Sequence, residues 1–497
     1  MMTRGISAAK SARDLTRRRR DAEGMKPSGI PWIGDIPEGW EVGHLKNCFA
    51  KTFTGVWGDE SGKNENTIVC YRIADFNFSK GIVSDEKLTK RSYHHSELDG
   101  KIVKKGDLLL EKSGGGDLNP VGRAVIVKYD MMATCSNFIQ DLRCNEKHDE
   151  LYVEYVLRAL YFKGVNGLYY NQTIGIQNLQ VGKYLSAAVA IPPLAEQKAI
   201  AAYLDEKCAA IDAAVAEAKT GIEEYKAWKK SLIFEAVTGK MNSDYSDASL
   251  TFGKDQKRRS VSAASDKSEL KNGDENWTSQ RKMKPSGIPW IGDIPEGWET
   301  RRLKGIISRP LQYGASESGV AYKETLPRYI RITDISLDGK LKNEGALSLS
   351  EETARDYILQ DHDILLARSG ATVGKAFFYD IRMGRAAFAG YLIRATIDRT
   401  KALPRFVHYT MLGSGYDGWR SSIAVSATIQ NIGADKYNNY SLPVPPLAEQ
   451  KAIAAYLDEK CAAIDALVAE KEALIADLEA YKKSLIFEVV TGKLEVA

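Results

Sequence analysis

The segment PPLAEQKAIAAYLDEKCAAIDA runs from Pro192 to Ala213 and returns, letter for letter, from Pro445 to Ala466. A second segment, MKPSGIPWIGDIPEGWE, occupies Met25 to Glu41 and again Met283 to Glu299. KSLIFE (Lys230 to Glu235, Lys483 to Glu488) and VTGK (Val237 to Lys240, Val490 to Lys493) close both copies. The order is opening motif, variable stretch, Ala-rich stretch and closing motif, then all four again. A chain built this way folds as two like domains, not as a solenoid, whose period would be roughly 20–50 residues. Its 497 residues fit two to four domains.

The sequence divides into a basic arm over 1–24, a first variable domain over 25–191 and a first spacer helix over 192–240. A polar linker over 241–282, a second variable domain over 283–444 and a second spacer helix over 445–497 follow. The linker is rich in Ser, Asp, Lys and Asn and reads as flexible. The arm, with its Arg17 to Arg20 run, has no counterpart in the second copy and reads as disordered. Each copy begins with Met and looks complete, as expected of two half-length proteins fused end to end.

The paired prolines mark where strand-rich sequence stops and helix begins, because proline holds the preceding residue extended and suits a helix's first turn. In the second copy Leu457, Ile464, Leu478 and Leu485 recur at heptad spacing, broken once by Lys471, with Leu467, Leu474 and Tyr481 on a neighbouring seam. The first copy offers Leu204, Ile211, Ala218, Tyr225 and Leu232, flanked by Ala214, Gly221 and Trp228. Small residues facing large ones suit an antiparallel pairing of two helices, each about 60 Å long at 1.5 Å per residue. The variable stretches read as mixed α/β (α+β). NTIVCYRIADF, GDLLLEKS and GRAVIVKY in the first match PRYIRITDI, HDILLARSG and KAFFYDI in the second by apolar position but not by loop. The fold expected is therefore two similar lobes joined by two long helices that form an antiparallel coiled coil, with pseudo-two-fold symmetry.

Several chemistries are absent from the pattern. No apolar run is long enough to span a bilayer, and the N-terminus lacks a signal-peptide core. Six cysteines show no CxxC pairing, so neither a disulfide framework nor a zinc site is expected, and the thiols read as free in a reducing cytoplasm. The formal charge of +4 is concentrated in the arm, which leaves any nucleic-acid surface local rather than global. GATVGKA (Gly370 to Ala376) is one residue too short between its glycines for a phosphate loop and lacks the Ser or Thr that holds magnesium, so it reads as a tight hairpin loop. His94-His95 and His362 have no partners at useful spacing. A methyl-donor loop, a base-gripping motif and a nuclease carboxylate pair are likewise missing.

IPWIGDIPEGWE, the GDLLLEKSGG and HDILLARSGATVGK hairpins, TIQNIGADKY before LPVPPLAEQKAIAAYLDEK, and KKSLIFEVVTGK together resemble the specificity subunit of Type I restriction–modification systems. NQTIGIQNLQVGKY in the first copy is a looser match to its counterpart. The resemblance implies a non-catalytic reader of double-stranded DNA, located in a bacterial or archaeal cytoplasm. Each variable domain would be a target recognition domain for one half of a split site. The helices would form the spacer and dock two copies of a methyltransferase (M) subunit, joined by motor–nuclease (R) subunits, with no membrane involved. S-adenosylmethionine, ATP and magnesium would belong to those partners, with no cofactor or metal in this chain.

The residues themselves support that division: a surface repeated unchanged meets one partner twice, and surfaces that differ meet different ligands. Loops on a rigid scaffold carry specificity, with Arg suited to guanine and Asn or Gln to adenine. The candidate DNA contacts are Lys112, Ser113, Asn119, Arg123, Tyr170, Asn171 and Gln172 in the first domain. In the second they are Gln312, Tyr313, Arg368, Ser369, Thr372, Lys375, Arg420 and Ser426. Each would be a base contact, a phosphate contact or a solvated loop residue. Two other classes compete: a self-contained DNA methyltransferase or nuclease, and a coiled-coil protein whose variable domains bind other proteins.

Overall fold

The computed structural model describes residues 16–18, 24–64, 66–173, 175–241, 281–336, 339–370, 372–424 and 431–496. Residues 242–280 of the expected linker, and 1–15 and 19–23 of the arm, lie outside them. The main helices are α1 (Glu150–Phe162), α2 (Leu194–Thr238), α3 (Pro404–Thr410) and α4 (Leu447–Val490). At 45 and 44 residues, α2 and α4 are each about 65 Å long. No helix among the described residues is long and apolar enough to cross a membrane.

The chain forms two compact units, residues 1–219 with 472–497, and residues 220–471. The division falls inside both long helices. Each unit thus contains one lobe, the first part of the helix that follows it, and the last part of the helix that belongs to the other repeat.

In the first unit, strands Phe49–Thr54 (β1), Leu108–Glu111 (β2), Ala124–Ile126 (β3) and Ile139–Cys144 (β4) pair antiparallel in the order β1-β4-β2-β3. Ile82–Val83 and Phe76–Asn77 extend that sheet. In the second unit Gln312–Tyr313 (β5), Ile364–Ala367 (β6), Ala376–Phe378 (β7) and Leu392–Ala395 (β8) take the same order, β5-β8-β6-β7. A second sheet in each lobe contains one parallel pair, Asn66–Tyr71 with Ala133–Cys135 and Arg328–Ile330 with Ala386–Phe388. Successive side chains of a strand point to opposite faces. Leu108 and Leu110 therefore enter one core and Leu109 another, as do Ile364 and Leu366 against Leu365. Burial on both faces explains why these strands read as unbroken apolar runs.

The repeated helix starts are fixed by a buried glutamine. Gln197 accepts a hydrogen bond from the Asp149 N–H at 2.9 Å and donates to the Pro192 carbonyl at 2.9 Å. Gln450 accepts from the Leu403 N–H at 2.7 Å and donates to the Pro445 carbonyl at 2.8 Å. One side chain thus satisfies backbone groups on either side of each helix entry, which buried polar groups require. A turn or two later, Tyr155 on α1 donates to Asp205 at 2.7 Å, and Tyr409 on α3 to Asp458 at 2.6 Å.

The two helices run antiparallel within each unit. Lys482 contacts Asp212 at 2.7 Å in the first; in the second, Lys229 contacts Asp465 at 2.7 Å and Lys471 lies against Gly221. Position rises on α2 as it falls on α4. The ion pair is the same pair twice, with the helices exchanging roles. The closing motifs make the exchange tighter. Gly492 has φ +70°, and a side chain there would collide with Pro37 and approach Trp40; Gly239, also at φ +70°, meets Pro295 and Trp298 in the same way. The tail of each repeat therefore closes the core of the other repeat's lobe.

Of the residues expected on the pairing seam, Leu204, Ile211, Leu232, Leu457, Ile464 and Leu485 are buried, and Tyr225, Trp228 and Leu478 partly so. Leu474 and Tyr481 are 48% and 52% exposed. Lys482, Ile486 and Val489 are buried instead. The helix packs against a lobe as well as against its partner, so its buried stripe is wider than a two-stranded seam and turned away from those two residues. Of the arm, the described residues Thr16–Arg18 form a strand antiparallel to Leu494–Val496.

Gly492→Ala is expected to destabilise the fold by about 1–3 kcal/mol, because it adds left-handed strain to a collision; urea unfolding of the variant checks this. Fragments 1–240 and 283–497, co-expressed, are expected to purify together, since neither contains both a lobe's opening motif and the tail that closes it. Independent elution of two folded fragments would contradict the exchange.

Candidate nucleic-acid interface

One backbone arrangement recurs at the end of the central strand of each lobe. In the second unit, β6 delivers Arg368, whose N–H donates to the Tyr391 carbonyl at 3.0 Å and whose carbonyl accepts from the Ile432 N–H at 2.7 Å. In the first, β2 delivers Lys112, whose N–H donates to the Phe138 carbonyl at 2.9 Å and whose carbonyl accepts from the Leu179 N–H at 2.8 Å. The next residues also correspond: Ser113 stands opposite Asn178, and Ser369 opposite Asn431. The main chain is the same and the side chains are not.

In the second unit the Arg368 guanidinium lies 4.8 Å from the Tyr313 ring and donates to Asn431 at 3.3 Å. The Tyr313 hydroxyl accepts from the Ala434 N–H at 3.0 Å, which fixes the ring beneath the guanidinium. Tyr391 is 62% exposed beside them. Thr372 and Lys375 sit on the hairpin loop between β6 and β7, closed by Gly374 donating to the Ala367 carbonyl at 2.8 Å. Gly370 and Gly374 supply its left-handed positions, φ +75° and +83°, and the loop cradles no phosphate-type Ser or Thr after its lysine. Arg420 packs on Gly374 and pairs with Asp417 at 3.3 Å. Thus Arg368 stacks on Tyr313, Ser369, Thr372 and Lys375 lie on the hairpin that follows it, and Arg420 packs on that hairpin.

Two of the sequence candidates in this unit do not join them. The Gln312 side chain donates to the Asp356 carbonyl at 3.0 Å and accepts from buried Arg394, on the opposite face of β5 from Tyr313. It belongs to the scaffold. Ser426 lies outside the described residues.

In the first unit the Lys112 ammonium donates to the Thr54 hydroxyl at 3.4 Å, and burial pushes its pKa down. Ser113 donates to Asn178 at 2.7 Å. Ser113–Gly114, Ile176–Leu179 and Tyr170–Thr173 form a three-stranded sheet, which brings Tyr170, Asn171 and Gln172 into the same assembly. Gln180 donates to Asn171 at 2.6 Å, and Gln172 donates to Asp117 at 3.3 Å. Asn119 is exposed in the turn closed by reciprocal backbone bonds with Gly116. Arg123 is a correction: its guanidinium grips Glu111 at 2.8 and 3.0 Å and stacks 3.7 Å from Phe78. Only 18% of that side chain is exposed, so it braces the sheet rather than facing a ligand.

Asn178, Asn431, Phe138 and Tyr391 are the interface residues that the sequence reading overlooks. The signal for the asparagines is the IQN triplet present in both copies, at Ile176 to Asn178 and Ile429 to Asn431. Phe138 and Tyr391 carry no such mark, because register alone places them beside Lys112 and Arg368.

Other reactive side chains are held inert. Burial pushes the Cys48 thiol up to about 12 and His408 down to about 3. Among the described residues no group of three or more His, Cys, Asp or Glu side chains is placed to hold a metal ion. The helices present a separate repeated surface. Lys198, Ala199, Ala202, Glu206, Ala209 and Ala213 on α2 are exposed, and so are their identical counterparts Lys451, Ala452, Ala455, Glu459, Ala462 and Ala466 on α4. Solvent-facing positions place little demand on residue identity. Their agreement therefore needs a cause outside the fold.

Residues 295–476 match the family described as Type I restriction modification DNA specificity domain. The chain is 21% identical over 394 residues to the Type I restriction enzyme StySPI specificity subunit of Salmonella potsdam, spanning 78% of this chain and 74% of that one. It is 22% identical over 329 residues to the EcoBI specificity subunit of Escherichia coli, covering 65% of this chain and 61% of the relative. A solved chain described under "Structural basis underlying complex assembly and conformational transition of the type I R-M system" shares the fold. Its TM-score is 0.60 at 15% identity, over 92% of this chain and 99% of that one.

One titration beneath the first interface is testable. Asp141 on β4 is fully buried, and desolvation, then the neighbouring Asp107 charge, raise its pKa well above the ordinary carboxylate range. The folded state therefore holds a proton that the unfolded chain releases near pH 4, and stability falls as pH rises from there through neutrality. Asp141→Asn is expected to flatten that slope and to add on the order of 1–2 kcal/mol at pH 7 in urea titrations.

Proposed function

We propose that this chain is a specificity subunit of a Type I restriction–modification system, whose family model and relatives it resembles, with the work divided between its lobes and its helices. It is the DNA-recognition subunit, with methyltransferase and motor–nuclease subunits as its protein partners. Each lobe reads one half of a bipartite site. The two halves differ because the lobes differ, so the site is asymmetric, in contrast to the palindrome that an identical pair would read. The helices set the separation of the half-sites and dock two copies of the methyltransferase, one on each copy of the repeated exposed face. The chain itself contributes recognition without catalysis. S-adenosylmethionine, ATP and magnesium serve the partners' chemistry.

One observation carries this reading. Lys112 and Arg368 occupy the same hydrogen-bonded backbone position in the two lobes and are surrounded by different side chains, whereas the exposed residues from Lys198 to Ala213 on α2 and from Lys451 to Ala466 on α4 are identical. A constant frame with exchanged side chains is how a scaffold presents two different readouts. Arg368, held over Tyr313 beside Asn431, has the planar donor fork that suits guanine in the major groove. The self-contained enzyme draws no support from the comparisons, which name specificity subunits.

Arg368→Ala, expressed with the methyltransferase and assayed by sequencing the methylated genome, is expected to relax one base pair in one half-site. The cost at the original base pair is about 1–3 kcal/mol, and the other half-site stays unchanged. Uniform weakening at all sites would make Arg368 a phosphate contact, and an unaltered motif would remove it from the interface.

A further inference from the structure

Beside Lys112 the first lobe has an open cleft of about 410 Å³, lined by Trp57, Arg72, Ile73, Ala74, Ser136, Asn137 and Phe138. Its two aromatic walls are solvent-facing, Trp57 at 42% and Phe138 at 48% exposure. Both are nevertheless held in place. Arg91 lies 4.6 Å from the Trp57 ring and donates to the carbonyls of Trp57 at 3.2 Å and Gly58 at 2.7 Å. The Phe138 carbonyl is the acceptor for the Lys112 N–H, so the wall and the candidate reader share one backbone bond. Arg72 is fixed by Asp75 at 2.8 Å. The result is a preformed apolar slot with Arg72 in its lining, Arg91 packed on its Trp57 wall and Lys112 bonded to the backbone of its Phe138 wall.

The second lobe repeats the frame but not the slot. Gly55 and Gly314 donate to the equivalent carbonyls of Ile139 and Leu392, each at 3.2 Å, which sets the register. Counting on from them, Ser316 stands where Trp57 does, and Gly390 where Asn137 does. Arg331 and Asp334 keep the Arg72–Asp75 clasp, with the guanidinium 2.7 Å from the carboxylate. Tyr391 stands where Phe138 does and is also exposed, so it is the Trp57 wall, and with it the two-sided slot, that belongs to one lobe.

We infer that this cleft takes the C5-methyl edge of a thymine in the half-site read by the first lobe, an inference that rests on the DNA-reading function proposed above. Thymine is the base that presents an apolar group in the major groove. An exposed Trp–Phe pair beside Ile73 gains by covering such a group, while the cationic side chains at its walls suit the flanking phosphates.

The test uses the assembled complex with methyltransferase and duplexes carrying its site. Each thymine of the first half-site is replaced in turn by uracil, which lacks only the methyl group. One such replacement is expected to weaken binding of the wild-type complex about four-fold, while the Trp57→Ala complex is expected to be indifferent to the same replacement. Phe138→Leu, which keeps an apolar wall, is expected to retain part of the discrimination. Uracil sensitivity in Trp57→Ala equal to wild type at every position, or a first half-site without a sensitive thymine, would overturn the assignment. If the wild-type complex bound all duplexes alike, the DNA-reading function would fall first and the assignment with it.

Discussion

The rest of the structure depends on an exchange of helix ends. Neither lobe closes its own core: the first is finished by Leu485, Ile486, Val489 and Val490 from α4, and the second by Leu232, Ile233, Ala236 and Val237 from α2. Apolar burial drives the exchange, and the repeated Asp–Lys pairs set its register. The pairs are partly exposed and contribute little on their own. What they do is choose among the sliding positions that two Ala-rich helices would otherwise allow. Because the tails are nearly identical in sequence, the same reciprocal packing appears in both units, and the lobes are free to diverge without disturbing it.

That freedom is visible at the strand ends. Backbone bonds from Lys112 to Phe138 and Leu179, and from Arg368 to Tyr391 and Ile432, are the same bonds in two settings. Main-chain geometry is insensitive to the side chain it carries, so a lysine with a threonine neighbour and an arginine over a tyrosine can occupy one frame. The frame also explains the buried charges close by. Glu111 with Arg123, and Asp107 with Arg143, are paired where they are partly shielded from water, and each brace positions a strand rather than a ligand.

Much of this was legible in the residues. The duplication and the two helices follow from repeated segments, and the buried strands from runs such as Leu108 to Leu110 and Ile364 to Leu366. Of the heptad positions, Leu204, Ile211, Leu457 and Ile464 are buried, whereas Leu474 and Tyr481 are exposed. Periodicity finds the apolar stripe of a helix without saying how many neighbours share it. Arg123 misled for a related reason: a loop arginine reads the same whether its partner is a base or Glu111, and that partner is decided by a strand register invisible in one sequence. The pairing of Lys112 with Phe138, separated by β3, was hidden for the same cause, and so was the Trp57 cleft.

The central claim is that two unlike lobes on one frame read two unlike pieces of DNA held at a fixed separation. Selection of bound duplexes from a random-sequence library by the purified complex with methyltransferase tests it most directly. Two short defined blocks of different sequence, divided by a gap of constant length and no preferred bases, are the expected outcome. A single uninterrupted motif, a palindrome, or recovery of duplexes without enrichment would contradict it.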